Sequence, residues 1–125
     1  MSELDKCYDN DESSFLNKLF YKDVFDNQQF ELLCQEIINK IRASNHESQN
    51  VDYNLIKKCF FVSNKFSQIV ISHYDSNDSY SIRNNHSYIR LYLDRWFFLV
   101  DCILDNDYLR VEAFEDDLGT FVKFD

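Results

Sequence analysis

The stretch Tyr88–Leu104, YIRLYLDRWFFLVDCIL, is the longest run rich in aromatic and branched residues, and its reading decides the fold. Ile89, Leu91 and Leu93 alternate with Tyr88, Arg90, Tyr92 and Asp94, the period of two of a strand with one buried face and one wet face. From Trp96 to Leu104 the run is almost continuously apolar, broken by Asp101, as in a strand covered on both faces. These residues read as two adjoining core strands. One long bent strand is the alternative, since Asp94-Arg95 lacks the Gly or Asn that favours a two-residue hairpin.

The flanking segments extend the same reading. Cys59–Val62 and Phe66–Tyr74 read as a hairpin around Ser63-Asn64-Lys65, two antiparallel strands. Residues 72–87 form a polar stretch with Tyr74, Tyr80 and Ile82 as its large apolar or aromatic groups; a loop of that length is more often functional or disordered than ordinary, and a short strand near Tyr80–Arg83 would halve it. After Leu104, Asp105-Asn106-Asp107 is a turn and Tyr108–Phe114 alternates with Leu109, Val111 and Ala113 on one face. Glu115–Gly119 turns again, with Gly119 supplying a positive φ, and Thr120–Phe124 closes the sheet.

Upstream the period becomes helical. Ser13 or Ser14 offers a cap to Phe15, Leu16, Leu19 and Phe20, the stripe of a short helix running to about Lys22. Asp26 with Gln29 resembles a capping box for a longer helix whose core face is Phe30, Leu33, Cys34, Ile37, Ile38 and Ile41. Residues 1–12, acidic and without apolar periodicity, read as a flexible arm. Helices followed by a strand meander predict an α+β fold: residues 13–125 as one domain, two N-terminal helices packed on one face of a five- to six-stranded antiparallel meander sheet. Phe30, Leu33, Ile37 and Ile41 are then expected to bury against Ile89, Leu91 or Leu93 and the Trp96–Leu104 strand.

Composition bounds the function. At 125 residues, 45% hydrophobic and 17% aromatic, the chain can build a single core without staples. With one Gly and no Pro, its turns fall to Asn, Asp and Ser, which bond back to their own backbone, although an AT-rich genome produces the same bias. The N-terminus has no apolar signal region and no stretch of about 18 uncharged apolar residues occurs, so a cytoplasmic location is expected. Cys7, Cys34, Cys59 and Cys102 form no C-x-x-C pair and read as buried or idle thiols; no metal or cofactor is implied.

The one catalytic constellation on offer is His73, Asp75, Asp78 and His86, where a histidine pair invites comparison with RNA cleavage. The two histidines are thirteen positions apart, and no metalloprotease, nucleophile-elbow, phosphate-loop or dinucleotide motif supports them. Charge says more. Residues 1–12 carry a net −4, residues 13–93 a net +1 and residues 94–125 a net −6, so the acids gather at the two ends of the chain. Such a surface repels phosphate backbones, which disfavours direct nucleic-acid binding, and either keeps the protein in solution or steers it to a basic partner.

The expected partner-binding residues are Asp105, Asp107, Glu112, Glu115, Asp116 and Asp117, with Tyr108 as an aromatic anchor among them. The leading expectation is a small acidic protein that binds and inhibits a basic protein, such as an immunity protein neutralising a nuclease toxin, whose groove is basic because its substrate is polyanionic. An anti-CRISPR or other DNA-mimic inhibitor uses the same physics. A small RNase-like enzyme built on His73 and His86 and an acidic secretion chaperone are the alternatives. Oligomeric state is left open by the sequence.

Overall fold

The structure, a computed structural model, describes residues 1–44, 52–75, 77, 81–84 and 89–105. They form five helices: α1 (Glu3–Tyr8), α2 (Phe15–Lys22), α3 (Asn27–Ser44), α4 (Tyr53–Tyr74) and α5 (Ile89–Asp105). No strand occurs among the described residues, so the α+β expectation with its antiparallel sheet is overturned. The supposed 59–74 hairpin is the interior of α4, and the two supposed core strands are α5 from Ile89 onward. The strands expected over 108–114 and 120–124 lie outside the described residues.

The physical reason is visible in which residues are buried. Ile89, Tyr92, Trp96, Leu99, Val100 and Ile103 are buried along α5 at helical spacing, while Leu91 and Leu93, assigned to the strand's core face, are only half-buried. In α4 the buried set is Cys59, Val62, Ser63, Phe66, Ile69 and Val70, again one helical stripe. Neither segment contains Gly or Pro, so nothing interrupts a helix. Their aromatic and β-branched content suits strands, but that preference is set mostly by packing context, and here the helical stripe buries more completely.

Ser63-Asn64-Lys65, expected as a turn, lies mid-helix. The Ser63 hydroxyl donates to the Cys59 carbonyl (2.9 Å) and accepts the Trp96 indole N–H (2.9 Å), tying α4 to α5. Both residues are buried, so this is a satisfied polar pair inside the core rather than a surface loop.

The two expected N-terminal helices are present. Ser14 caps α2, its hydroxyl accepting from Asn17 N–H (3.0 Å). Asp26 begins α3, its carboxylate accepting from Gln29 N–H (3.0 Å) and pairing with Lys18 (3.0 Å). Phe30, Leu33, Ile37 and Ile41 are all buried, as the sequence pattern expects, but they face helices. With so little glycine, Asn10 (φ 58°) and Asp23 (φ 59°) take the left-handed turn positions, the latter closing α2.

Residues 1–12, where the sequence suggested an acidic arm, hold α1, whose Leu4 and Cys7 are buried against the bundle. The acids there satisfy helix ends. Glu3 reaches the start of α2 and accepts the Phe15 N–H (2.8 Å); reciprocally, Glu36 of α3 accepts the Leu4 N–H of α1 (3.0 Å). Asp5 is ion-paired to Lys58 of α4, which holds its carboxyl below the ordinary range. Burial pushes the Glu3 carboxyl above its ordinary range, only partly opposed by the Phe15 N–H and the Lys6 charge.

The core is aromatic. Phe15 of α2, Phe25 of the α2–α3 connector, Phe30 of α3, Phe66 of α4 and Tyr92 of α5 form one ring cluster, with centroids 4.4 Å apart for Phe25–Tyr92 and 5.4 Å for Phe15–Phe66. Separations and tilts in this range are the favoured arrangements of aromatic pairs.

Two outcomes test this description. Ser63→Ala leaves the buried indole N–H of Trp96 without its acceptor and is expected to cost about 1–3 kcal/mol in chemical denaturation, whereas Ser67→Ala, one turn on, should be close to neutral. Were residue 63 in an exposed hairpin turn, both changes would be mild. For Glu3, a raised folded-state pKa means the native state holds the proton more tightly than the unfolded chain, so stability falls as pH rises from the ordinary value of 4.5 through the raised one. Glu3→Gln keeps an acceptor for Phe15 N–H without that charge. Urea melts are therefore expected to show the variant gaining stability relative to the parent between pH 4.5 and pH 7; an unchanged difference contradicts a buried carboxylate.

Candidate functional site

Because α5 buries one side against α3 and α4, its other side is set by the helical repeat. Arg90, Asp94, Phe97, Asp101, Leu104 and Asp105 are exposed along it. Phe97 (41% exposed) and Leu104 (44%) lie one heptad apart, with Asp101 between them, Asp94 before and Asp105 after. Apolar anchors framed by carboxylates are the composition of a binding face for a basic surface. Asp101 and Asp105 are four residues apart, where like charges repel, and Asp105 ends the helix, whose last turn carries no basic residue.

Of the residues expected to contact a partner, Asp105 is described: it ends α5 and is exposed. Asp107, Tyr108, Glu112, Glu115, Asp116 and Asp117 lie outside the described residues. Asp94, Phe97, Asp101 and Leu104 were missed as a set because a period of two scatters them over both faces of a strand. Their spacing of three, four and three residues was the available signal. Tyr92 and Trp96, which neighbour these acids in sequence, are core residues.

The histidine constellation does not assemble as a site among the described residues. His73 lies in the last turn of α4, and its Nδ1 accepts the Ile82 N–H (3.1 Å), which commits that nitrogen to holding the chain. Ile82 is itself buried. Next to it, Arg83 N–H donates to the Asp23 carbonyl (2.7 Å), and the Asn84 side-chain amide pairs with both backbone groups of Phe25 (2.8 Å each). Asp75 is the exposed C-terminal cap of α4, and Asp78 and His86 lie outside the described residues.

All four cysteines are buried and none is in a disulfide, and burial pushes the Cys7 and Cys59 thiols up to about 12, so neither of these two supplies a thiolate near neutrality. No group of three or more potential metal ligands occurs among the described residues. Open clefts flank the bundle. One, of about 210 Å³, is polar and lined by Asp5, Glu36, Lys40, Asp52 and Lys58. Another, of about 260 Å³, is an apolar groove between α2 and α4 lined by Leu16, Phe20, Tyr21, Phe61 and Ile69. No helix among the described residues is long and apolar enough to cross a membrane.

No family model matches the chain, and no curated protein or solved structure matches it significantly.

The clamp at Phe25 is open to test. Asn84→Ala strips an acceptor and a donor from that backbone at once and is expected to destabilise by about 1–3 kcal/mol with little change in helical circular dichroism. A neutral result would show that the 81–84 segment is not held by this side chain.

Proposed function

We propose that this is a small cytoplasmic protein that binds and inhibits a basic protein partner through the acidic outer face of α5 and the acidic segment that follows it. The observation that carries the reading is the placement of Asp94, Asp101 and Asp105 around the exposed Phe97 and Leu104. Asp101 and Asp105 are spaced so that their charges repel along the helix, and carboxylates clustered around exposed apolar groups suit contact with a basic surface. The chain's net charge of −9 would speed encounter with a basic surface.

Within this class, the reading extends to an immunity protein that neutralises a nuclease toxin. A nuclease groove binds polyanions, and a row of carboxylates spaced by one to two helical turns occupies such a groove in place of phosphates. Asp107, Glu112, Glu115, Asp116 and Asp117 would extend the acid surface, with Tyr108 as a second anchor.

The test begins with affinity capture from the native cell extract and continues with the recovered partner in purified form. Expected are a basic partner, nucleolytic activity that is titrated away at one equivalent, and association that slows as the screening length shrinks from about 10 Å at 0.1 M salt to about 3 Å at 1 M. Asp94→Lys with Asp101→Lys is expected to weaken binding more than tenfold. Asp101→Lys alone should leave the melting temperature equal or slightly higher, because it removes the clash with Asp105. Unchanged affinity in the double variant would remove α5 from the interface.

A further inference from the structure

We infer that the exposed side of α4 is a self-association surface, on which two copies of this chain pair antiparallel about a two-fold axis at Asn64. Four large side chains lie open along this helix: Tyr53 (85% exposed), Phe60 (51%), Ile71 (67%) and Tyr74 (57%). Tyr53, Phe60, Ser67 and Tyr74 recur every seven residues, and Lys57, Asn64 and Ile71 form the interleaved row, the spacing of a two-helix seam. The opposite stripe of α4 is already buried in the bundle, so this seam is not needed to complete the core.

The pattern is complementary to its own reverse. Antiparallel pairing centred on Asn64 sets Asn64 against its own symmetry mate, places Phe60 of one copy between Ser67 and Gln68 of the second, and brings Tyr53 beside Tyr74 and Asp75. The bulky ring thus lies beside the smallest residue of the seam. Covering Ser67 leaves no bond unmet, since its hydroxyl already donates to the Ser63 carbonyl (2.7 Å). Asn64 meets Gln68 at a long 3.5 Å, so its amide can exchange hydrogen bonds with its mate, the device by which a single asparagine fixes register in helix pairs.

Electrostatics favour the same occupant. Two copies of a chain carrying −9 repel, and they repel least across a face without acids. From Tyr53 to Tyr74 α4 contains no Asp or Glu, although it has Lys57, Lys58 and Lys65. In this register the exposed Lys57 comes within about one helical turn of the exposed Asp75 of the other copy, twice by symmetry. A 22-residue helix gives a seam about 33 Å long, enough for an interface near the low end of the usual range of about 1,200–2,000 Å². The inference rests on α4 alone and stands whether or not α5 binds a basic partner.

The test uses the full chain. Sedimentation equilibrium from about 10 to about 500 µM, a range suited to weak association, is expected to show a monomer–dimer equilibrium. Its dimer fraction should rise with salt, because screening relieves the repulsion between copies. Phe60→Glu should shift the chain to monomer at every concentration while leaving circular dichroism and melting unchanged. The native thiols are buried, so variants with one added, exposed cysteine report the geometry: under mild oxidation Asn64→Cys should cross-link to itself rapidly. Tyr53→Cys should not, its two copies being about 33 Å apart. Monomer mass throughout the range overturns the inference, as does cross-linking at position 53 as fast as at position 64.

Discussion

The fold depends on five aromatic rings meeting at one place. Phe15, Phe25, Phe30, Phe66 and Tyr92 come from α2, the α2–α3 connector, α3, α4 and α5, and each touches at least two of the others. A ring contributed by a connector is a demanding arrangement, because the backbone that carries it leaves helical hydrogen bonding just where it is drawn inward. The structure resolves that demand with Asn84, whose amide takes the place of a neighbouring strand for Phe25. His73 then anchors Ile82, and so the segment bearing Asn84, to the end of α4. The one described histidine of the supposed catalytic group therefore serves the core.

Helix α1 lies outside this ring cluster and is joined to the bundle differently. Besides the buried Leu4 and Cys7, polar links hold its first turn: Glu3 to the start of α2, Glu36 to the start of α1, Asp5 to Lys58. Acid residues bonded to N-terminal amides of helices place negative charge where the dipole favours it. The three contacts are not equal. Asp5 is half-open to solvent, and its ion pair is of the weak surface kind, whereas Glu3 is buried and offsets the Phe15 bond against desolvation of its own carboxylate.

That same use of acids explains which parts were legible in the sequence. α2 and α3 could be read because each has a capping residue, an apolar stripe and a polar remainder. α1 could not, since Leu4 and Cys7 are too few to show a period, and the partners of Glu3 are remote in sequence. In α4 and α5 the apolar residues exceed what one stripe needs. Tyr53, Phe60, Ile71, Tyr74, Phe97 and Leu104 lie outside the core stripe and blur the helical period into a continuous apolar run. The 17- and 22-residue lengths, without Gly or Pro, were the better guide, since strands typically run about five to six residues. Of the expected binding residues, the exposed position of Asp105 follows from α5, and its companions Asp94 and Asp101 emerge only once the segment is a helix.

The residues that obscured the fold are thus the ones that define the surface. A helix in a small bundle needs apolar groups on about a third of its circumference, and side chains beyond that stripe are exposed at a solvation cost unless something covers them. On α5 the excess is framed by acids and on α4 it is free of them, although the two helices are neighbours tied by Trp96 and Ser63. On the pairings proposed for the two faces, added salt weakens association at α5 and strengthens it at α4, since attraction between opposite charges and repulsion between equal copies are screened alike. One chain can present both faces because helices separate them by rotation alone, with no change of backbone between Phe60 and Phe66 or between Trp96 and Phe97.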